Sequence, residues 1–323
     1  MAIVWMFPGQ SSRYAGMIEK LVSLHDANRV LLGRASELLN RDVGACYASS
    51  RSEEEMFASN RDVQIGVFLA NQMFLQILQA AGLKADYSLG LSLGEWNHLV
   101  HIGAVSFDQA LLAVEQRGLA YDAGPRGSMA SVYPASVEDL EPILERARAF
   151  GVVEAVNLNS PRQQVISGET AALDEAVRLI EEELFLQPVI IERQVPMHAS
   201  IFRPAGEQFR AYLTKMRFQE PALPYLPNRL GHIQESPTQE DFVELLSSHV
   251  YSPVLWRHSI DFLVERHPNA VFVEVGPRGV LHNLLDRRWH RDIRKFKMDS
   301  AQETEAHQQE TMAAFRQLTE ETA

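Results

Sequence analysis

The sequence is short of several things, and each shortage excludes something. Cys46 is the only cysteine among 323 residues, so neither an internal disulfide nor a cysteine-built metal site can form, which suits a reducing compartment. Cations are outnumbered: 30 Lys and Arg against 42 Asp and Glu leave a formal charge of −12, which argues against a broad nucleic-acid-binding surface. The N-terminal stretch Met1-Ala2-Ile3-Val4-Trp5-Met6-Phe7 lacks the basic region of a secretory signal, and no apolar run is expected to span a membrane. There is no internal repeat, and no His, Asp or Glu spacing of the H-E-x-x-H kind. These absences predict a cytoplasmic protein with no metal, no redox cofactor, and neither membrane nor nucleic acid as partner.

What is present reads as a globular enzyme, 46% hydrophobic and 22% charged. Asp86 to Leu91 predicts a short strand, followed by Gly90-Leu91-Ser92-Leu93-Gly94, a G-x-S-x-G pattern in which one serine stands between two glycines where a strand meets a helix. In such a nucleophile elbow the hydroxyl projects from a strained turn, and the free N–H groups of the helix start can hold an oxyanion. The pattern alone is a weak signal, and its surroundings have to decide. Ile3 to Phe7 reads as a buried strand ended by Pro8-Gly9, Phe107 to Asp122 as a helix, and Ala270 to Val275 as an apolar strand.

Between these, the order is strand (Met129 to Tyr133), helix (Val137 to Phe150), strand pair (Val152 to Val156, Gln164 to Ser167), helix (Ala171 to Glu183) and strand (Val189 to Gln194). That βαββαβ order predicts a ferredoxin-like α+β insert. The expected fold class is α/β: a large α/β-hydrolase-like domain with a parallel sheet over 1–125 and 198–299, an inserted subdomain over 126–197, and a polar helix or tail over 300–323. His198 follows the last strand of the insert, and among eleven histidines it is the candidate base for Ser92.

Taken together, Phe7-Pro8-Gly9-Gln10-Ser11-Ser12, the elbow through Glu95, Gln116-Arg117-Gly118, Gly127-Ser128-Met129-Ala130, Asn157-Leu158-Asn159-Ser160-Pro161, Gln164-Val165-Ile166-Ser167-Gly168, Val195-Pro196-Met197-His198, Ser252-Pro253-Val254-Leu255-Trp256 and Glu274-Val275-Gly276-Pro277 stand in a telling order. Over residues 3 to 297 the chain resembles the malonyl-CoA:acyl carrier protein transacylase family, including the acyltransferases of polyketide synthases. The resemblance implies a Ser92–His198 dyad that carries malonyl from coenzyme A to the phosphopantetheine thiol of an acyl carrier protein, by ping-pong transfer in fatty acid or polyketide synthesis. It implies that the main chain at His249 orients His198, and that Leu93 N–H and Gln10 form the oxyanion hole. Arg117 falls on the family's carboxylate-binding position, which suits a guanidinium that can grip a carboxylate with two parallel bonds. Gln64, Leu91, Tyr121, Met197 and Asn159 complete the implied substrate contacts.

Three departures bear on the substrate. Leu91 stands where the family usually has histidine, Tyr121 where methionine is common, and His249 where glutamine is common. They leave open an extender unit other than malonyl. The alternative reading is a hydrolase that clears acyl groups from carrier proteins with the same serine and histidine, against which the retained Arg117 argues. For the carrier, the densest basic cluster is Arg287, Arg288, Arg291, Arg294, Lys295 and Lys297, of which Arg287, Arg288 and Arg291 are the candidate docking residues.

Overall fold

The computed structural model describes residues 1–286 and 288–320, with 315–320 as backbone alone. Its described strands are β1 (Ile3–Phe7), β2 (Tyr87–Gly90), β3 (Ser128–Val132), β4 (Val153–Ser160), β5 (Gln163–Gly168), β6 (Val189–Glu192), β7 (Val271–Glu274) and β8 (Arg294–Lys297). They form two four-stranded sheets, ordered β2-β1-β7-β8 and β4-β5-β3-β6. The chain is therefore α/β with a parallel sheet, and it divides into two compact units. One comprises Met1–Gly118, Gln219–Tyr225 and the chain from Leu263 on; the other comprises Leu119–Phe218 and Leu226–Phe262.

The first unit holds the parallel sheet. β1 reads Ile-Val-Trp-Met-Phe without alternation, as a central strand covered on both faces must, and Val4 to Phe7 are all buried. Val4 pairs with Tyr87 on one side, and Ile3 with Val271 on the other. β8 extends the sheet beyond β7, with Val271 opposite Arg294. Because the pairings are parallel, β1, β2 and β7 end on the same edge. The turns Pro8-Gly9, Leu91-Ser92 and Gly276-Pro277 therefore gather there, the edge at which parallel α/β sheets bind ligands.

The 21-residue helix Asn60–Ala80 is capped by the Ser59 side chain on the N–H of Asp62. By length and composition it could cross a membrane. It is a core helix, however, with every residue from Val63 to Leu75 buried in the protein.

The second unit holds the antiparallel sheet. Helices Val137–Ala147 and Thr170–Glu183 pack on it through Ala130, Val132, Leu140, Leu144, Ile166, Leu173 and Ile180. The first helix opens with a reciprocal Ser136–Asp139 capping box. It stops at Ala147 rather than running to Phe150, because a 3-10 turn follows and Gly151 leaves it at a φ of 135°, open to glycine but not to most residues. The segment 126–197 supplies all four strands, while the compact unit around it also takes in helices Arg203–Leu213 and Gln239–Ser248. The last helix is Thr304–Glu320.

Candidate active site

The turn after β2 is built by close contact. Leu91 N–H donates to the Phe7 carbonyl at 2.9 Å, and Ser92 follows with a φ of 52°, a left-handed conformation that costs a serine about 1 kcal/mol. A side chain at Gly90 would put Cβ 2.0 Å from the Gly94 carbonyl, and one at Gly94 would put it 2.0 Å from the Phe7 carbonyl oxygen. Only glycine permits this approach. The N–H groups of Gly94, Glu95 and Trp96 bond back to the carbonyls of Leu91, Ser92 and Leu93, and the Leu93 N–H takes no part in these bonds. It lies just before helix Gly94–His101, at the positive end of its dipole. Gln10 opens the adjacent 3-10 turn Gln10–Ser12, anchored by the Ser12 hydroxyl on the Gly9 carbonyl at 2.8 Å. Buried Leu91 presents its Cδ2 3.2 Å from where a Cβ on Gly9 would lie.

Arg117, on helix Phe107–Ala123, is 1% exposed. Its Nη2 donates to Ser92 Oγ at 3.2 Å and its Nη1 to Gln64 Oε1 at 2.7 Å. Gly118 explains how the guanidinium gets so deep. A Cβ there would sit 2.4 Å from the Arg61 Cα, so the two helices meet backbone to backbone and bring Arg117 against Gln64. Gln64 is fully buried, and its Nε2 has no hydrogen-bond partner among the described residues. One unit thus brings Gln10, Gln64, Leu91, Ser92, Leu93 and Arg117 together.

Beneath the elbow is a polar layer that sequence reading missed. The Ser88 hydroxyl lies 2.7 Å from His98 Nδ1 and 2.8 Å from His101 Nδ1. A hydroxyl has one hydrogen, so one Nδ1 accepts it and the other donates to the oxygen. Burial lowers His98 to about 3 and His101 to about 4, so both rings are neutral at neutral pH. Buried Glu95 accepts from the Tyr225 hydroxyl at 2.8 Å, and burial followed by the Glu95 charge holds that phenol well above its usual range. His98 and His101 are three apart on one helix; that spacing was the available signal, but it does not distinguish a buried pair from a surface one.

In the second unit, His198 is 2% exposed and has a φ of 67°. Its ring Nδ1 is 2.7 Å from the His249 carbonyl oxygen, and its own N–H donates to the Val250 carbonyl at 3.1 Å. A carbonyl can only accept, so Nδ1 carries the hydrogen and Nε2 carries the lone pair. The His249 ring stacks on His198 with centroids 4.9 Å apart. Tyr121 is buried edge-on to Phe202 at 5.0 Å. Met197 and Asn159 are buried, and Asn159 Oδ1 has no hydrogen-bond partner among the described residues.

The basic cluster is less free than its sequence suggests. Lys295 Nζ donates to the carbonyls of His282 and Leu285 at 2.7 and 2.6 Å, closing the end of helix Val280–Leu284. Arg288 pairs with Asp286 at 2.7 Å while staying exposed, Arg291 is exposed, and Arg287 lies outside the described residues. Among the described residues, no group of three or more His, Cys, Asp or Glu could hold a metal ion.

The chain belongs to the acyl transferase domain family, whose model matches residues 4–321. It is 29% identical over 290 residues to a malonyl CoA-acyl carrier protein transacylase of Bacillus subtilis, covering 88% of this chain and 90% of that one. The crystal structure of a malonyl CoA-acyl carrier protein transacylase from Clostridium perfringens superposes with a TM-score of 0.89 at 27% identity, over 99% of this chain and 98% of that one. A type II PKS acyl-carrier protein in complex with its malonyl-transacylase gives 0.85 at 25% identity, over 92% and 96%.

Proposed function

We propose that this acyltransferase moves a carboxylated acyl unit, malonyl or a close relative, from coenzyme A to the phosphopantetheine thiol of an acyl carrier protein, through an ester on Ser92. The observation that carries this reading is the buried Arg117 guanidinium on the Ser92 hydroxyl. A charge held at that depth beside a nucleophile suits an acyl group ending in a carboxylate. The relatives named as malonyl transacylases, and the carrier protein complexed with one, support the same pair of substrates.

In this mechanism His198 Nε2 takes the Ser92 proton as Oγ attacks the thioester carbonyl. Leu93 N–H and Gln10 hold the oxyanion, and the C–S bond breaks as the coenzyme A sulfur leaves with the proton from His198. The carrier thiol then repeats the sequence against the Ser92 ester and restores the hydroxyl. The hydrogen bond to the His249 carbonyl keeps the proton on Nδ1 and stabilises the imidazolium. Arg117 holds the acyl carboxylate, with Gln64 fixing one side of its fork. Leu91 and Tyr121 tune which substituted units are accepted, and Met197 and Asn159 complete the substrate contacts.

We further read the parallel-sheet part as hydrolase-like, and segment 126–197 as a ferredoxin-like insert, from its strand order β4-β5-β3-β6. The reaction uses no resident cofactor, and the enzyme works in the cytoplasm. Arg288 and Arg291 belong to the surface that attracts the carrier.

The test is to weigh the intact protein after exposure to a panel of acyl-CoAs and then add carrier protein. A malonyl adduct that moves to the carrier supports transfer. Hydrolysis of acylated carrier without any loading from coenzyme A thioesters would show an editing hydrolase instead.

A further inference from the structure

A pair of buried asparagines lies close to the elbow and has no place in the chemistry described so far. Asn71 sits in the middle of helix Asn60–Ala80 and is fully buried, between Ala70 and Met73, which are also fully buried. An amide in such surroundings is costly unless its hydrogens find acceptors. Both do: Asn71 Nδ2 donates to the Pro8 carbonyl at 3.0 Å and to Asn97 Oδ1 at 2.9 Å. Asn97, also fully buried, donates its own Nδ2 to the Phe68 carbonyl at 3.0 Å. The Pro8 and Phe68 carbonyls can only accept, which fixes the orientation of both amides.

The two acceptors of Asn71 belong to different parts of the proposed oxyanion hole. Pro8 is two residues before Gln10. Asn97 lies on the helix that begins at Gly94, directly after Leu93. One side-chain nitrogen therefore spans the loop that carries Gln10 and the helix that follows directly on Ser92 and Leu93. On the far side the arrangement is closed by Gly276, where a Cβ would lie 2.4 Å from both Asn71 Oδ1 and the Pro8 ring. The Gly276 backbone thus packs against both the loop and the amide.

We propose that Asn71 is a positioning residue for acyl transfer, one that fixes the spacing between Gln10 and the Leu93 N–H by tying Pro8 to Asn97. The proposal rests on the serine-centred reading above. Asn71 touches no reacting atom and acts through Pro8 and Asn97. Donors in an oxyanion hole stabilise the transition state only where they are held to within a few tenths of an ångström.

The test uses the full-length enzyme with Asn71→Leu, close in size but without a donor, and Asn71→Ser, which keeps one. The readout is the rate at which a fluorophosphonate probe labels Ser92, normalised to folded protein, beside the kcat and KM for malonyl-CoA. The expected result is labelling and kcat slowed about 10- to 100-fold in Asn71→Leu, with KM within about threefold of wild type and Asn71→Ser intermediate. A folded Asn71→Leu that labels at the wild-type rate overturns the proposal, even if its melting temperature falls. Where Asn71→Leu does not fold, Asn71→Ser decides on the same criterion. A wild-type protein that no acyl-CoA loads but the probe labels, with the labelling slowed by Asn71→Leu, would sink the transacylase reading and leave the role of Asn71 standing.

Discussion

Arg117 donates to the hydroxyl of Ser92 at 3.2 Å while Gln64 holds the other arm of its guanidinium at 2.7 Å. The fork is thus fixed by the protein before any substrate arrives. Arg117→Ala is expected to slow malonyl loading about 30- to 150-fold, the loss of a charge-assisted contact of about 2–3 kcal/mol, while sparing or improving uncharged acyl groups. Arg117→Lys should not restore malonyl loading, because a lysine offers a point charge rather than a fork. Acyl-enzyme mass against time measures both, and equal losses for charged and uncharged acyl groups would refute the assignment.

His198 is steered by a main-chain oxygen, which no side-chain substitution removes. His198→Ala should lower kcat about a thousandfold or more. His249→Ala keeps the carbonyl and loses only the stacked ring, so its activity is expected to stay within about tenfold of wild type. A collapse of His249→Ala to the level of His198→Ala would show that the imidazole of His249, and not its backbone, does the work.

Gly94→Ala forces a methyl to within 2.0 Å of the Phe7 carbonyl oxygen, and Gly90→Ala does the same to the Gly94 carbonyl. Backbone cannot yield as a flexible side chain would. Each change is expected to destabilise the protein by about 3 kcal/mol or more and to abolish probe labelling of Ser92. Thermal melts and labelling of the soluble fraction check this; a wild-type melt for either variant contradicts the packing.

His98, lowered to about 3 by burial, is neutral when folded but takes up a proton near 6.5 once unfolded. Between those values protons bind the unfolded chain alone, so its contribution is intact above 6.5 and drains away as pH falls. By pH 5 the loss from His98 is about 2 kcal/mol. Glu274 has the opposite sign: burial raises it to about 8, so its contribution falls as pH rises through 4.5 to 8. The clean measurement is the difference in denaturant stability between wild type and His98→Ala at pH 7 and pH 5, and the variant's slope should be the flatter on the acid side. Parallel slopes would rule the effect out.

Charge reversal at Arg288 and Arg291 is expected to raise the Michaelis constant for carrier protein several-fold and to weaken its salt dependence, leaving acyl-CoA loading unchanged. Steady-state kinetics at two ionic strengths decides. An unchanged carrier constant would place docking elsewhere.

Much of this architecture was legible because it is local. The elbow shows itself as two glycines around a serine, and the strands as short apolar runs between turn residues. What stayed hidden was long-range. Asn71 and Asn97 are 26 residues apart, and nothing in the spacing of two asparagines announces a shared hydrogen bond. Ser88 reads as a strand serine until two histidines from the next helix meet it. Lys295 reads as one more cation of an open basic cluster because its two carbonyl acceptors, unlike a partner carboxylate, leave no mark in the sequence. The helix Asn60–Ala80 is apolar enough to cross a lipid bilayer, and only its burial within the protein marks it as a core helix.

The backbone passes between the two compact units after Gly118, Phe218, Tyr225 and Phe262, with the seven-residue return Gln219–Tyr225 delivering the tyrosine that caps Glu95. Neither unit is therefore a contiguous stretch of gene. A single splice cannot exchange one of them between relatives, and expressing either alone would require stitching together segments that are remote in the reading frame.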